Sequence, residues 1–424
     1  MARPAGKVAA VASFQAPKGT FDILPEQEDT RTWITYGTSS VLGHAGYRRI
    51  ETPTFEDTSL FARGVGEATD IVRKEMFTFE DAGGRSITLR PEGTAPVCRA
   101  YLEHGMHRLP QPVKLWYAGP YFRYERPQEG RYRQFNQIGA EAIGSDSPLV
   151  DAELIVLLDR LLRKELRIED LTLKLSSLGS PAARAAYRDE LRAYLREHED
   201  DLSDEVRARI DLNPMRAFDS DHPGTKAVME GAPRMLDRLA GEDAEHFAEV
   251  RELLDAAGVD YTLDGSLVRG LDYYNRTVFE FACDRLGAQS GIGGGGRYDG
   301  LVELLGGPAT PAVGWAAGIE RILLAMETPP EPERIDVFVV ASEDRAKAFG
   351  LVAELREAGL AADLDLAGRS FKGQMKQADR SGARHAMILE PDGTAKLRDM
   401  TSGEQREVDP AALAAQLITN LAAR

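Results

Sequence analysis

Cysteine is nearly missing from this chain: Cys98 and Cys283 are the only two in 424 residues, and they form no CxxC pair. That spacing excludes a disulfide framework and a thiolate zinc site, and a reducing cytoplasm suits it best. No apolar run is long enough to span a bilayer. The run at residues 8–12, behind Arg3 and Lys7, is shorter than a signal core and passes into Gln15, Pro17 and Lys18, so no secretory leader is expected. Positive charge is also short. The net charge is −16, which argues against a nonspecific coat on nucleic acid and leaves room only for a local basic face.

Several motifs are missing as well. There is no GxxxxGK[ST], no HExxH and no GxSxG. GIGGGG at residues 291–296 satisfies GxGxxG in form, yet RYDG follows it where a dinucleotide site needs a helix. Those glycines suit a backbone that approaches a ligand or another strand closely. His104 and His107 lack a third ligand and read as helix-end residues, so no structural metal is expected.

The length calls for two or three domains. PKGTFDILP (17–25) is a turn before an amphipathic helix over 26–44, and GYRRIETP (46–53) is an edge strand ended by proline. Short strands follow at 75–79 and 87–90, and then RPEGT (90–94) opens an apolar helix. Glu92 and Thr94 at that junction suit an N-cap as well as a site, and the residues alone leave the choice open. Ser147 and Pro148 start a further helix, and 171–175 is a strand. Residues 180–259 are almost wholly helical and charged, a pattern that breaks the strand-rich context and reads as an inserted module. Strands return from 267, a helix follows at GIERILL, and 329–332 is a linker. From 335 the chain reads as an α/β domain closed by a helix from Asp409 and Pro410.

Residues 119–144 carry the most chemistry. They alternate like a hairpin, but the face that would usually be aliphatic holds Arg123, Glu125, Gln137 and Glu141. Arg269 and Arg321 also sit where an aliphatic residue would pack more cheaply. Three such arginines suggest phosphate clamping by guanidinium groups in place of a P-loop. In the last domain Arg369, Lys372, Lys376, Arg380 and Arg384 recur every three or four residues, with Phe371, Met375 and Ala378 on another face. This stretch from 333 holds 13 basic and 15 acidic residues, a net −2 against −16 for the whole chain. The stripe suits a polyanion, and it suits an ordinary solvated face as well.

With these motifs in order, the chain resembles the histidyl-tRNA synthetase family of class II aminoacyl-tRNA synthetases over nearly its whole length. GYRRIETP, FRYERPQEGRYRQFNQ and GWAAGIERILL are similar to the three class motifs, and PKGTFDILP, RPEGTA, RGLDYYNRTVFEF and GGRYDGL to the histidine-specific signatures. The resemblance implies an α+β catalytic domain over 1–179 and 260–328, built on an antiparallel six-stranded sheet flanked by helices. It also implies a helical insertion at 180–259 and an α/β anticodon-binding domain at 333–424. It implies ATP with accompanying Mg2+, L-histidine and histidine tRNA as partners, and a homodimer joined through GYRRIETP.

By motif, Arg123, Arg269 and Arg321 would be catalytic, the first two at the α-phosphate and histidine carboxylate and the third at the γ-phosphate. Glu125, Arg131 and Phe135 would hold ATP. Glu92, Gly93, Thr94 and Gln137 would take the amino acid's ammonium end, and Glu141, Tyr273 and Tyr274 its ring. Arg369, Lys372, Lys376 and Arg380 would contact tRNA, as would the helical insertion. Asn136 stands where the family often has an aromatic residue or histidine, which leaves its contact near adenine open. A noncatalytic synthetase-like subunit of histidine biosynthesis, or a class II enzyme for another amino acid, are the competing expectations.

Overall fold

The computed structural model describes residues 14–66, 69, 71–267, 271–329, 334–341, 343–390 and 394–409. Arg269 and the closing helix expected from Asp409 and Pro410 onward fall outside them, apart from Asp409 itself. The chain divides into two compact units, Met1–Pro330 and Glu331–Arg424. Among the described residues no helix is long and apolar enough to cross a membrane.

In the first unit the strands are β1 (Arg48–Arg49), β2 (Phe55–Asp57), β3 (Phe77–Glu80), β4 (Ser86–Leu89), β5 (Val113–Phe122), β6 (Gln134–Ile143), β7 (Leu171–Ser177), β8 (Thr262–Leu263), β9 (Asn275–Cys283), β10 (Gly291–Arg297) and β11 (Ala312–Gly318). Its helices are α1 (Pro25–His44), α2 (Thr58–Val65), α3 (Thr94–Glu103), α4 (Pro148–Arg160), α5 (Pro181–Glu197), α6 (Asp204–Arg207), α7 (Pro223–Glu230), α8 (Glu242–Ala256), α9 (Leu301–Leu304) and α10 (Ile319–Ala325). The expected starts hold chemically. Pro148 is the first residue of α4, and Ser147 Oγ accepts from Leu149 N–H at 3.3 Å.

The main sheet corrects the six-stranded antiparallel expectation. It has eight strands in the order β1-β5-β6-β11-β10-β9-β7-β8 and is mixed. The six inner strands do pair antiparallel, but β1 joins β5 and β8 joins β7 in parallel. GYRRIETP does hold the expected edge strand, shortened to the two residues of β1, whereas β8, equally short, is too brief for alternation to mark it. The interior strand β10 is glycine-rich for a steric reason. A Cβ on Gly293 would lie 2.6 Å from that of Ala317, and one on Gly295 would lie 1.9 Å from the Gly314 carbonyl oxygen.

The sheet separates two cores. One holds Ile34 and Leu42 of α1, Leu154 and Leu158 of α4, and Phe247, Val250 and Leu254 of α8 against Ile138, Phe281 and Trp315. The other holds Val97 of α3 and Leu191 of α5 against Tyr117, Val278 and Tyr298. The helical stretch at 180–259 is therefore shared between both faces, with α8 beneath the sheet and α5 above it. Arg297 of β10, fully buried, ties the sheet to α4 through Asp151 and donates to the carbonyls of Ser145 (2.8 Å) and Ser147 (3.2 Å).

In the second unit β12 (Val337–Ala341), β13 (Ala362–Leu364), β14 (His385–Leu389), β15 (Ala395–Asp399) and β16 (Gln405–Val408) form one sheet, with α11 (Arg345–Glu357) and α12 (Phe371–Arg380). The basic stripe is not all on one helix. Lys372, Lys376 and Arg380 lie exposed on α12, whereas Arg369 precedes it and Arg384 follows it. Gln374, buried on the same helix, bonds both backbone groups of Ala341 at 3.0 and 2.9 Å and anchors α12 to β12.

Candidate active site

The hairpin register decides which side chains share a face. Tyr121 pairs with Phe135, Gly119 with Gln137, Tyr117 with Gly139 and Leu115 with Glu141, so Phe135, Gln137 and Glu141 follow the two-residue period along one face. Strand β5 ends at Phe122, and Arg123 and Glu125 belong to the following loop, not to the strand the alternation predicted. That loop is pinned by Arg123 N–H to Arg133 O at 2.9 Å, and Arg131 Nε lies 2.7 Å from Glu125 Oε2. Arg123 donates through Nε to Pro91 O at 2.9 Å and sits 5.3 Å from the Phe135 ring centroid. Among the described residues the ion-pair approach to its outer nitrogens is Glu125, at 3.9 Å.

A cavity of about 380 Å³ opens here, and Glu92, Gly93, Thr94, Arg123, Glu125, Arg131, Phe135, Gln137, Tyr273, Tyr274 and Arg321 all line it. Residues far apart in sequence thus converge on one space. A larger hollow of about 640 Å³ lies against Tyr36 and Tyr47, Arg49 and Trp116. It gathers fewer charges, Glu28, Arg31 and Arg49, and we place the chemistry in the smaller one.

Glu92 resolves the junction left open in the sequence. Its carboxylate accepts from the Thr94 and Ala95 N–H groups at 2.6 and 2.9 Å, so Glu92, not Thr94, caps α3. Burial raises its pKa, and those two donors and Arg123 pull it back down. The Thr94 hydroxyl turns inward to Glu141 Oε1 at 2.8 Å.

Glu141 does not line the cavity. It is wholly buried beneath it, with Tyr117 donating to Oε1 at 3.0 Å and Tyr298 to Oε2 at 2.6 Å. Burial pushes its pKa up to about 8, against the pull of those hydroxyls. Neither Tyr117 nor Tyr298 is a site residue by sequence, although Tyr298 lies within the signature GGRYDGL.

The sign of the resulting pH effect follows from linkage. Below an ordinary carboxyl pKa near 4.5 both folded and unfolded states hold the proton. As pH rises toward about 8 the unfolded chain ionises while folded Glu141 stays protonated, and stability falls through that window. Glu141→Gln should flatten this fall, so urea midpoints measured from pH about 5 to about 8 should diverge in the variant's favour. A gap that does not change with pH would refute the assignment.

Two polar atoms at the site have no bonded partner among the described residues: Gln137 Oε1 and the Tyr273 hydroxyl, both shut off from solvent. Thr94 is near enough to Tyr273 to ease the burial-raised pKa of its hydroxyl, but Thr94 itself donates to Glu141. An unsatisfied acceptor and hydroxyl are costly unless a ligand meets them. Arg321 is a buried cation at the same cavity. It bonds the Gly291 and Gly130 carbonyls at 2.5 and 3.4 Å, and burial followed by repulsion from Arg131 lowers its pKa. An anion in the cavity would relieve that repulsion.

The sequence missed Arg216 and Asp219, which line the cavity from within the helical stretch, and Glu280 of β9. Nothing in their local pattern separates them from solvated charges. Asn136 points to the reverse side: its N–H and Nδ2 donate to Glu320 at 3.0 and 3.2 Å, and Arg31 of α1 donates to the same carboxylate at 2.9 Å. It lines the larger hollow and steadies the residue before Arg321.

Residues 19–322 match the family model described as histidyl-tRNA synthetase, and 336–420 match that of an anticodon binding domain. A histidine–tRNA ligase of Streptomyces avermitilis is 47% identical over 422 residues, covering 97% of this chain and 100% of the relative. One from Halothermothrix orenii is 48% identical over 405 residues, covering 93% and 96%. Apo S. aureus histidyl-tRNA synthetase superposes with a TM-score of 0.79 at 38% identity, covering 95% of this chain and 99% of that one. A Bacillus halodurans protein described as an ATP phosphoribosyltransferase regulatory subunit/histidyl-tRNA synthetase gives 0.63 at 25% identity, over 84% and 94%.

Proposed function

The chain belongs to the histidyl-tRNA synthetase family, and from that premise we infer how its cavity serves the attachment of L-histidine to its tRNA in protein synthesis. The histidine carboxylate attacks the α-phosphate of ATP, a new P–O bond forms and pyrophosphate leaves. The terminal ribose hydroxyl of the tRNA then takes the acyl group and AMP departs. Both reactants of the first step are anions, so the protein's task is to hold them together and neutralise charge gathering at phosphorus.

The observation that carries this reading is the convergence of Arg123, Arg131 and Arg321 with Glu92, Thr94, Gln137, Tyr273 and Tyr274 on one cavity. Arg123 faces the α-phosphate and the carboxylate, a role that the family resemblance gives also to Arg269, and Arg321 faces the γ-phosphate. Phe135 stacks on adenine, with Glu125 and Arg131 holding ATP. Glu92, Gly93, Thr94 and Gln137 receive the ammonium group; the orphan acceptor of Gln137 suits a donor of that kind. Tyr273 and Tyr274 read the imidazole, and Glu141 acts from beneath them through Thr94. Mg2+ arrives with ATP, and the cavity carboxylates Glu125 and Glu280 are oxygen donors of the type it takes.

Beyond the cavity, the division into 1–179 with 260–328, 180–259 and 333–424 serves catalysis, tRNA contact and anticodon binding. Arg369, Lys372, Lys376 and Arg380 meet the tRNA backbone, and the cytoplasm is the place of action. We further propose a homodimer joined at β1 and α1, where exposed Tyr36 and the hollow beside Trp116 await a partner surface.

ATP–pyrophosphate exchange with each amino acid in turn tests the reading. Histidine alone should support it, and sedimentation should give twice the 46.5 kDa chain mass. No exchange with histidine would favour the regulatory-subunit alternative, which the arginine cluster argues against.

A further inference from the structure

We propose that Arg184 of α5 is a positioning residue for histidine recognition, holding the backbone that presents Tyr273 and Tyr274 to the cavity. Its Nη1 donates to the carbonyl of Asp272 at 3.0 Å and to that of Tyr274 at 2.7 Å, so the two bonds straddle Tyr273. The segment has need of such a hold. Strand β9 begins only at Asn275, which leaves residues 271–274 outside the ladder, with no adjoining strand among the described residues to occupy their carbonyls. A charged donor on these carbonyls is of the stronger class of hydrogen bond.

The root of α5 is fixed against the same piece of sheet. Leu178 N–H donates to Arg276 O at 2.7 Å, and Arg276 N–H to Gly179 O at 2.8 Å. Asp243 of α8 accepts from Ser180 N–H at 2.8 Å and from Arg276 Nε at 3.2 Å. Helix and tyrosine segment therefore leave the sheet side by side, and Arg184, one turn past the Ser180 cap, bridges them.

A second hollow, of about 260 Å³, lies between α5 and this segment and is lined by Arg184, Arg188, Asp272, Tyr273 and Tyr274. Among the described residues it shares only the two tyrosines with the substrate cavity, so they form the partition between the two spaces. Arg184 stands behind that partition and does not line the substrate cavity. It acts through the tyrosines, and it makes the helical stretch a support for the amino-acid pocket in addition to the tRNA contact proposed for it.

The inference rests on the reading that Tyr273 and Tyr274 face the histidine ring, and the test separates the two. In the full chain, Arg184→Met should raise KM for histidine in ATP–pyrophosphate exchange about tenfold while KM for ATP stays within about twofold. Preference for histidine over β-(2-thienyl)alanine, which keeps the ring shape without its N–H, should fall by about the same factor. Arg184→Lys, with donors on a different fork, should recover part of the loss.

Tyr274→Phe is the control. If it leaves histidine KM unchanged, the reading of the ring is wrong and the inference falls with it. If it raises KM and Arg184→Met does not, the role of Arg184 alone is overturned. Parallel rises in both KM values with a lower melting temperature mean a merely structural role and overturn it too. Should the Met variant not fold, Arg184→Lys decides: a raised histidine KM at unchanged melting supports the proposal, and no change defeats it.

Discussion

Arg123→Ala should slow histidine-dependent ATP–pyrophosphate exchange by about 10²–10³-fold, the usual cost of removing one preorganised donor from developing charge. Arg123 is held from two sides: Nε is committed to the Pro91 carbonyl and the guanidinium lies 5.3 Å from the Phe135 ring centroid. Its outer nitrogens, which among the described residues have a distant ion pair to Glu125 at 3.9 Å, can meet an anion without reorganising. Arg123→Lys keeps the charge and loses the fork, so it should fall between wild type and Ala. tRNA affinity, for which we propose the basic residues Arg369, Lys372, Lys376 and Arg380, should stay within about twofold. An Ala variant that lost tRNA binding and kept exchange would remove Arg123 from the phosphate site.

Gly295→Ala should lose about 3–5 kcal/mol of stability, at the upper end for a point change. The new methyl would fall 1.9 Å from the Gly314 carbonyl oxygen and 2.6 Å from the Trp315 Cα. Both are backbone atoms of the neighbouring strand β11, and a strand paired on both sides has nowhere to shift. Gly300→Ala, a few residues on in the same glycine-rich stretch, is the contrast. Among the described residues nothing lies within 4 Å of its Cβ position and its φ is −88°, so the change should stay within about 0.5 kcal/mol. Urea unfolding of the two variants beside wild type measures the difference. Equal effects would mean that backbone approach is not why β10 is built of glycine.

These two experiments probe features the sequence disclosed to different degrees. The hairpin was legible because its two strands run ten residues each on either side of a polar loop, long enough for residues two apart to mark a face. The glycine strand was not, since residues without side chains cannot alternate; its composition hinted at close approach and left open what approached. Arg123 and Glu125 looked like a continuation of β5 because a pinned loop can mimic alternation over two or three residues.

By itself the sequence determined the kinds of chemistry present: arginines in place of a P-loop, acids and amides where a packed hairpin would carry aliphatics, and family motifs in their order. Tertiary structure decided depth and direction. Glu141 and Gln137 lie four residues apart on one strand face, yet one is sealed beneath three hydroxyls while the other reaches the cavity. Arg184, Arg216 and Asp219 carry no local sign of their places at the site. The reason is physical. Periodicity reports which face a residue takes relative to its own strand or helix, whereas burial and partnership depend on what other segments lay over that face, and for Glu141 those arrive from 24, 47 and 157 residues away.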